Sequence, residues 1–329
     1  MLRRGHILRP GVYAPILTPF QKDGESINLA AFSTNVKRLA TAGVGIVIGG
    51  TLGEGALLQN AERATMIKTA RETIRGLNPE SRVPIISGCV GASVKECVQQ
   101  AQEAGAAGAD AIIIAIPSYF AFVYARDKST IKCFFTSIAD KSPVPLFIYN
   151  IPFAAGGIDL DAEFLIDISE HQNICGVKLT CGSISKGYSI ALHVNSSEYK
   201  VRHPLPFLVM PGSSDYLLPA LIGRQNGCIA GPANLYPKTC VRVFQMGSKA
   251  IKTSDFELLR QAQTLQDAIT EADSVINKVG FLGIKTASII FVNEQSGGAF
   301  RPPLTAPSDI ATAKLRDGLK RIFEIENSL

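Results

Sequence analysis

A lysine stands alone at the end of an apolar run in Gly176-Val177-Lys178-Leu179-Thr180. Burying an ammonium group is costly unless it is paired, so burial favours the neutral amine of a lysine. A neutral amine in a pocket is the nucleophile that condenses with a carbonyl group to form an imine. The run is equally consistent with a lysine whose aliphatic stem is buried and whose ammonium group reaches solvent. Position alone therefore leaves both interpretations of Lys178 open.

A tyrosine ends a second apolar run, Phe147-Ile148-Tyr149-Asn150-Ile151-Pro152. Taken alone, it is better explained as a core side chain with its hydroxyl in water. Imine chemistry needs a proton donor and acceptor close to the lysine, and a phenol can serve as both. Tyr149 is therefore a catalytic candidate if it lies beside Lys178.

A glycine-rich segment, Gly49-Gly50-Thr51-Leu52-Gly53-Glu54-Gly55, follows a third apolar run. Glycines allow a ligand to approach the backbone closely, and free N–H groups that open a helix bind anions. A carboxylate fits such a loop as well as a phosphate, and a plain glycine-rich turn also explains the composition. The segment lacks the Lys-Ser/Thr ending of a P-loop, which argues against nucleotide binding.

The histidines give no indication of a metal site. None ends an apolar run in an H-x-H or H-E-x-x-H pattern, and no G-x-S-x-G hydrolase motif occurs. The histidine positions are 6, 171, 193 and 203. We therefore expect no metal catalysis. An imine on Lys178 would itself supply the electron sink, so we expect no organic cofactor either.

Short apolar runs alternate with helical stretches about every 25–30 residues, the length of a βα unit. The predicted strands are 12–17, 44–49, 83–87, 111–116, 144–149, 174–179, 206–211 and 227–231. Eight such units predict a TIM (β/α)8 barrel, whose functional groups lie at the C-terminal ends of the strands. A doubly wound sheet is the alternative, but its glycine-rich fingerprint is missing because Thr18-Pro19-Phe20 follows the first strand.

The predicted helices give the domain organisation. Within the barrel they cover 28–42, 60–75, 93–107, 127–140, 161–170 and 235–248, and 182–202 is predicted to be a helix and a loop. Three further helices, 254–277, 280–292 and 308–327, follow the last strand, and a turn-rich stretch covers 296–307. We expect a barrel over residues 1–250 and a C-terminal helical extension over 251–329, packed on the barrel as one structural unit.

Composition limits the possible environments and partners of the chain. Of its 329 residues 46% are hydrophobic and 19% charged, which is enough apolar material for a large core. The net charge of +5 is scattered, apart from Arg3-Arg4, so nucleic-acid binding is not expected. Seven cysteines without a C-x-x-C pair indicate reduced core thiols, and no apolar run approaches the ~20 residues of a membrane span. The N-terminus is too short for a secretory signal and does not favour a transit peptide, so we expect a cytoplasmic location.

Together these segments resemble the dihydrodipicolinate synthase / N-acetylneuraminate lyase family of class I pyruvate-dependent aldolases. The resemblance covers about residues 11 to 240. It includes the opening segment 11–20, Gly50-Thr51-Leu52-Gly53-Glu54, Tyr149-Asn150-Ile151-Pro152, Gly176-Val177-Lys178 and the late Arg301-Pro302-Pro303-Leu304. Each motif is weak alone, but their order and their positions at strand ends make the set specific.

The resemblance implies a role for each matching residue. Lys178 would form the imine with a 2-keto acid, and Tyr149 would transfer protons. Thr51 would hydrogen-bond Tyr149 in a proton relay that Tyr119 completes, typically from the neighbouring subunit. The resemblance therefore implies at least a dimer, and we expect a homodimer or a homotetramer.

The resemblance also implies which residues contact the substrate. The loop at Gly50, through the backbone N–H groups of Thr51 and Leu52, would hold the keto-acid carboxylate. Further matching positions are Gly212 and Ile229, which line the pyruvate pocket, and Thr180, which contacts substrate hydroxyls in the sugar-acid members.

Two departures from the synthase branch refine this expectation. Leu52 stands where that branch has a second threonine, and no arginine follows Tyr149-Asn150-Ile151-Pro152 to bind an aldehyde carboxylate. The chain is more similar to the fungal 2-keto-3-deoxy-sugar-acid and 4-hydroxy-2-oxoglutarate aldolases, in 178–182 and 229–235 particularly. We therefore expect cleavage of such an acid to pyruvate and an aldehyde. A dihydrodipicolinate synthase and a non-catalytic keto-acid-binding barrel are the alternatives.

Overall fold

The computed structural model describes residues 8–81, 83–203 and 205–329, so Arg3, Arg4 and His6 lie outside the described residues. In this part of the chain eight parallel strands alternate with helices. The strands are β1 (Gly11–Pro15), β2 (Gly45–Ile48), β3 (Ile85–Cys89), β4 (Ala111–Ala115), β5 (Leu146–Asn150), β6 (Ile174–Leu179), β7 (Leu208–Pro211) and β8 (Gly227–Ile229). Each predicted strand overlaps one of these, and the prediction of a (β/α)8 barrel is confirmed.

The helices cover the outside of the sheet and continue after β8. In chain order they are α1 (Leu29–Thr41), α2 (Asn60–Leu77), α3 (Val94–Ala107), α4 (Ala121–Tyr124), α5 (Lys128–Ala139), α6 (Ala162–Ser169), α7 (Ile184–Val194), α8 (Ser197–Arg202), α9 (Leu217–Ile222), α10 (Pro237–Thr253), α11 (Phe256–Val279), α12 (Leu282–Phe291), α13 (Glu294–Gly297), α14 (Asp309–Gly318) and α15 (Lys320–Ser328). Two 3₁₀ turns, Gly55–Leu57 and Gly231–Asn234, follow β2 and β8.

The barrel is nearly closed. The paired strands run in the order β7-β6-β5-β4-β3-β2-β1-β8, so β7 and β8 meet at a seam. Asn226, which precedes β8, joins the two edges: its backbone N–H donates to Val209 O at 2.9 Å, and its Oδ1 accepts from Val209 N at 2.8 Å. At the seam, the side-chain oxygen of Asn226 thus accepts the hydrogen bond that a backbone carbonyl accepts between the other strands.

The barrel interior is filled by alternate side chains of the strands, as the parallel register requires. Tyr13 is the largest of them, and its hydroxyl donates to Arg9 O at 2.8 Å at the N-terminal end. The interior cluster consists of Leu8, Tyr13, Val47, Ile86, Ala111, Ile113, Phe147, Cys175, Leu208, Met210 and Ile229, with Tyr149 packed against it. The apolar cluster thus reaches Tyr149 near the C-terminal end of the barrel.

A bulge in β6 determines which of its side chains face inward. Leu146 pairs with Ile174, but Phe147 pairs with Gly176, so Cys175 is an extra residue on β6. A bulge of this kind re-aims the side chains that follow it. Cys175 already belongs to the interior cluster, so strict alternation would turn Lys178 outward. The extra residue instead pairs Lys178 with the inward-facing Tyr149 and Met210.

The last five helices are joined to the barrel by buried contacts. The predicted boundary at residue 250 falls within α10, which ends at Thr253 and packs along α11. Glu326 on α15 accepts hydrogen bonds from Thr239 N and Thr239 Oγ1 on α10, at 2.8 and 2.7 Å. Of the described helices, none is by itself both long and apolar enough to cross a membrane. By length and composition, α11 and α12 reach that level only when taken together, and the two are bent by 120° relative to each other.

Several helices differ from the prediction. The segment predicted as a helix and a loop holds both α7 and α8, because Ser196 caps a second helix through Tyr199 N. The stretch 308–327, predicted as one helix, is divided into α14 and α15 at the fully buried Leu319. Three short helices, α4, α9 and α13, were not predicted, because four to six residues are too few to show helical periodicity.

Candidate active site

Lys178 and Tyr149 lie side by side at the C-terminal end of the barrel interior. They are direct partners in the β5–β6 pairing, and the Lys178 amine lies 4.1 Å from the centroid of the Tyr149 ring. Lys178 is 6% exposed, so its amine faces the interior and not bulk solvent. Of the two interpretations of Lys178 from sequence, the buried amine is the one the structure has.

The Tyr149 hydroxyl lies in an environment that favours its ionisation. Burial is the largest single influence and raises its pKa. The charge of Lys178 and polar interactions with Thr180, Lys178 and Thr51 together outweigh burial, and the pKa of Tyr149 lies below its ordinary value. A phenol with a lowered pKa is more often ionised near neutral pH, so more of it is present as the phenolate that can act as a general base.

Thr180 and Gly212 follow β6 and β7 and stand next to each other. Gly212 N donates to Leu179 O at 2.8 Å, and a Cβ at Gly212 would collide with Thr180 Oγ1. The Thr180 hydroxyl is buried and, among the described residues, makes no hydrogen bond of good geometry. Its interaction with Tyr149 contributes to the lowered pKa of that residue, and a polar substrate group would supply the well-aligned hydrogen bond that the hydroxyl lacks. Ile229, on β8, completes the apolar floor with Tyr149.

The glycine-rich loop after β2 presents free backbone donors. Glu54 N donates to Thr51 O at 3.1 Å and Gly55 N to Gly50 O at 3.0 Å, which folds the loop into a tight turn. Within the described chain the N–H groups of Thr51 and Leu52 have no acceptor. Two free N–H groups on neighbouring residues, in the turn just before the 3₁₀ turn, are donors of the kind that can bind an anion.

The Leu52 side chain points away from solvent into the core. It is 6% exposed and belongs to the main hydrophobic cluster together with Ile284 of α12. A Cβ at Gly231 would lie 2.6 Å from Ile284 Cδ1 and 3.2 Å from Leu52 Cδ2, so the three residues are in contact range. The Leu52 backbone N–H is therefore free in the loop, while its side chain packs towards the C-terminal helices.

Tyr119 is separate from this cluster within one chain. It precedes α4 and is 80% exposed, with its ring 4.9 Å from that of Phe120 in an edge-on arrangement. The chain thus brings together Lys178, Tyr149, Thr51 and Thr180, and leaves Tyr119 at the surface.

A buried ion pair behind the loop was missed by the sequence analysis. Lys285 on α12 and Glu54 are 2% and 3% exposed, and the Lys285 amine donates to Glu54 Oε1. Burial lowers the pKa of Lys285, and the hydrogen bond and charge of Glu54 oppose that shift. The available signal was a single lysine within the apolar segment Leu282–Phe291. Three or more metal-binding side chains do not cluster anywhere in the described residues.

Comparison with known proteins places the chain in a family. The model of the Dihydrodipicolinate synthetase family matches residues 9–322. The chain belongs to this family. Its resemblance to the family, stated from the motifs, is confirmed.

Two fungal relatives and one solved structure are similar over nearly the full length. The L-threo-3-deoxy-hexylosonate aldolase of Aspergillus niger is 34% identical to this chain. The match covers 98% of this chain and 97% of the relative. The "Probable 4-hydroxy-2-oxoglutarate aldolase, mitochondrial" of Emericella nidulans is 32% identical, with 98% of this chain and 97% of the relative covered. The crystal structure of a dihydrodipicolinate synthase family protein from Coccidioides immitis is 31% identical, with a TM-score of 0.83 and 100% of both chains covered.

Proposed function

We propose that this chain is a class I aldolase that cleaves a 2-keto acid with a 4-hydroxyl group to pyruvate and an aldehyde. The observation that carries the proposal is the Lys178 amine, buried in the barrel 4.1 Å from the ring centroid of a tyrosine with a lowered pKa. An amine and a proton-transfer group in contact are what imine chemistry requires.

The first step joins the substrate to Lys178. The amine attacks the keto carbon C2, and the carbinolamine loses water to give an imine. The imine nitrogen takes up the proton of the Tyr149 hydroxyl, which leaves Tyr149 as the phenolate. The free N–H groups of Thr51 and Leu52 hold the substrate carboxylate and so fix the keto carbon near the amine. Orientation of this kind can supply much of the rate acceleration of a condensation.

The second step breaks the bond between C3 and C4. Tyr149, as the phenolate, removes the proton of the C4 hydroxyl, and the electron pair of the C3–C4 bond moves into the imine to form an enamine. The aldehyde leaves, C3 takes up a proton, and water hydrolyses the imine to release pyruvate and the free amine. Lys178 supplies the electron sink, so the proposed cycle uses no metal or organic cofactor.

The substrate is proposed to be a 2-keto-3-deoxy sugar acid, or a 4-hydroxy-2-oxo acid as second choice. The names of the fungal relatives support both. The buried Thr180 hydroxyl, which makes no well-aligned hydrogen bond within the described residues, favours a substrate that carries hydroxyl groups. No arginine follows Pro152 to bind a second carboxylate, and the exposed Phe153 stands there instead. The same absence disfavours the dihydrodipicolinate synthase reaction with aspartate semialdehyde.

We further propose a homodimer or homotetramer in the cytoplasm. Tyr119, Phe122 and Phe153 are 80%, 65% and 73% exposed at the C-terminal end of the barrel. Large exposed aromatic side chains are typical of an interface. A second subunit placed on this surface would bring its Tyr119 towards the Tyr149 relay. The free cysteines support a reducing compartment.

Borohydride reduction in the presence of pyruvate tests the proposal. We expect a stable adduct on the peptide that contains Lys178, detected by peptide mass spectrometry, and none in Lys178→Ala. Turnover of a 2-keto-3-deoxy sugar acid is then followed by pyruvate release. Efficient turnover of pyruvate with aspartate semialdehyde would instead favour the synthase, and saturable pyruvate binding without an adduct would favour a binding protein.

A further inference from the structure

Three charged side chains are buried directly behind the glycine-rich loop. Glu54, the last residue before the 3₁₀ turn, is 3% exposed, and Lys285 and Arg301 of the C-terminal extension are 2% and 8% exposed. Buried charges are retained only where each is paired, and breaking one pair is strongly destabilising. Their position links the C-terminal helices to the loop that faces the substrate.

Both carboxylate oxygens of Glu54 are held by the C-terminal extension. The Lys285 amine donates to Oε1, and the backbone N–H of Arg301 donates to Oε2 at 2.9 Å. The same Lys285 amine donates to Thr18 O at 2.9 Å, and Thr18 Oγ1 donates to Gly53 O at 2.6 Å. The backbone before Glu54 and the side chain of Glu54 are therefore fixed by one connected group of hydrogen bonds.

The Arg301 side chain extends this group to the next helix. Its guanidinium donates to both oxygens of Glu62 on α2, at 2.7 and 2.8 Å, and to Leu57 O at 2.9 Å. It also lies 4.3 Å from the centroid of the Phe20 ring. Arg301 thus fixes the chain immediately after the loop, as Lys285 fixes the loop itself.

The loop needs this support because its backbone is strained. Glu54 has φ 55°, a left-handed conformation that is unfavourable for a residue other than glycine. Gly53 lies so close to the first strand that a Cβ there would be 2.7 Å from Ile16 O. Such a conformation persists only where the surroundings determine it. It is also the conformation that leaves the N–H groups of Thr51 and Leu52 free.

We propose that Lys285 and Arg301, acting through Glu54, are positioning residues for the substrate carboxylate, so that the C-terminal helices set the affinity for the keto acid. This inference rests on the proposed function of the Lys178 site. None of the three side chains is assigned a contact with the substrate, and their effect is exerted through the conformation of residues 50–54.

The test removes the ion pair between Glu54 and Lys285 without leaving either charge buried and unpaired. The double variant Glu54→Gln/Lys285→Met removes both charges at once. Glu54→Asp keeps both charges but withdraws the carboxylate by one methylene group. It replaces the double variant in the test if the double variant does not fold. Lys285→Arg keeps the charge and the donors and is the conservative rescue. The matched control is Arg71→Met/Asp110→Asn, which removes another buried pair, with side-chain exposures of 7% and 5%, at the N-terminal end of the barrel.

The measurement is borohydride trapping on Lys178 over a range of pyruvate concentrations. In the double variant we expect the half-saturating pyruvate concentration to rise about 10-fold, because a displaced binding loop weakens binding without removing the amine. Trapping at saturating pyruvate should stay within about 2-fold of the wild type. Methyl pyruvate has the keto group without the charged carboxylate, so its trapping should change little. Glu54→Asp should show a smaller rise, and Lys285→Arg should approach the wild type.

The outcomes separate the two hypotheses. A wild-type adduct with unchanged half-saturation in both Glu54 variants would overturn the positioning role and leave the proposed function intact. An equal rise in the control pair, or an equal change for methyl pyruvate, would show a general loss of structure and also overturn it. Failure of the wild-type protein to form an adduct would overturn the proposed function, and this inference with it.

Discussion

At the scale of single residues, the hydroxyl of Tyr149 is the group whose removal separates binding from cleavage. Tyr149→Phe keeps the ring beside the Lys178 amine and removes only the proton-transfer group. We expect the turnover number to fall about 10²- to 10⁴-fold, the usual contribution of a positioned acid or base. Steady-state assay of pyruvate release measures this loss, and borohydride trapping with pyruvate should still label Lys178.

Tyr13→Phe is the matched control for this prediction. Tyr13 also faces the barrel interior, but its hydroxyl donates to Arg9 O at the opposite end. Burial raises the pKa of Tyr13 to about 12, whereas the pKa of Tyr149 is lowered, so the two phenols differ in environment and not in kind. Full turnover in Tyr149→Phe, or an equal loss in Tyr13→Phe, would contradict the assignment.

The residues that could be predicted from sequence share one property. Lys178, Tyr149 and Thr51 are polar side chains at the ends of apolar runs, where a local pattern is enough to identify them. The pairing of Glu54 with Lys285 spans 231 positions and has no local signature. Lys285 was visible as an isolated charge in an apolar helix, but its partner could not be named. Likewise, Leu52 was noted as a departure, and only packing shows that its side chain faces α12 and not the substrate.

At the scale of elements, the bulge in β6 decides whether Lys178 faces the pocket. Gly176 is necessary at this point, because a Cβ there would collide with the Phe147 ring and would lie 2.5 Å from Leu208 O. The bulge could not be predicted, since it depends on the register between β5 and β6 and not on the composition of either strand. The apolar run that predicted β6 is compatible with both orientations of the lysine.

Gly176→Ala tests this dependence. The added methyl group must displace Phe147 or the β6–β7 pairing, and overpacking of this kind typically costs about 1–3 kcal/mol of folding free energy. We expect denaturant unfolding to show that loss, and imine trapping at a fixed pyruvate concentration to decrease, because Lys178 moves with β6.

The control for Gly176→Ala is Gly76→Ala. Gly76 lies within α2, and a Cβ there would have no heavy atom within 4 Å. Alanine in an open helical position stabilises a protein by about 0.4–1 kcal/mol relative to glycine. Unchanged stability and trapping in Gly176→Ala would mean that the bulge region adapts and does not fix the lysine.

At the scale of the whole molecule, the C-terminal helices are joined to the barrel by buried polar contacts as well as by apolar packing. Asp273 on α11 is 1% exposed and accepts from Ser214 Oγ, after β7, at 2.7 Å, and from the Tyr236 hydroxyl. The alternation of strands and helices predicted the barrel because each βα unit is local. How the last helices attach could not be predicted, since side chains such as Asp273 find their partners only in three dimensions.

Asp273 makes the stability of the molecule depend on pH. Burial, the largest influence, raises the pKa of Asp273 from 3.8 to about 7; hydrogen bonds from Tyr236 and Ser214 oppose it, and the charge of Asp215 adds to it. Between these pH values the folded chain keeps a proton that the unfolded chain has released. Raising the pH therefore disfavours the folded state, and the free energy of unfolding should fall from about pH 4 to about pH 7, by at most about 1.4 kcal/mol per pH unit from this group.

Asp273→Asn isolates this contribution, because asparagine stays neutral over this pH range. Its Oδ1 can still accept from the Tyr236 hydroxyl, and its amide NH2 group replaces the oxygen that accepts from Ser214 Oγ. Urea unfolding of both proteins at several pH values between 4 and 8 gives the difference in their free energies of unfolding. We expect the free energy of unfolding of the wild type to fall relative to that of the variant as the pH rises from about 4 to about 7. Above about pH 7 the difference should be constant, because Asp273 is then ionised in both the folded and the unfolded chain. Asp267→Asn, an exposed carboxyl group on the same helix, should leave the difference nearly constant. A pH-independent difference for Asp273→Asn would show that the carboxyl group ionises in the folded chain as it does in the unfolded one, and that its burial is relieved by solvent.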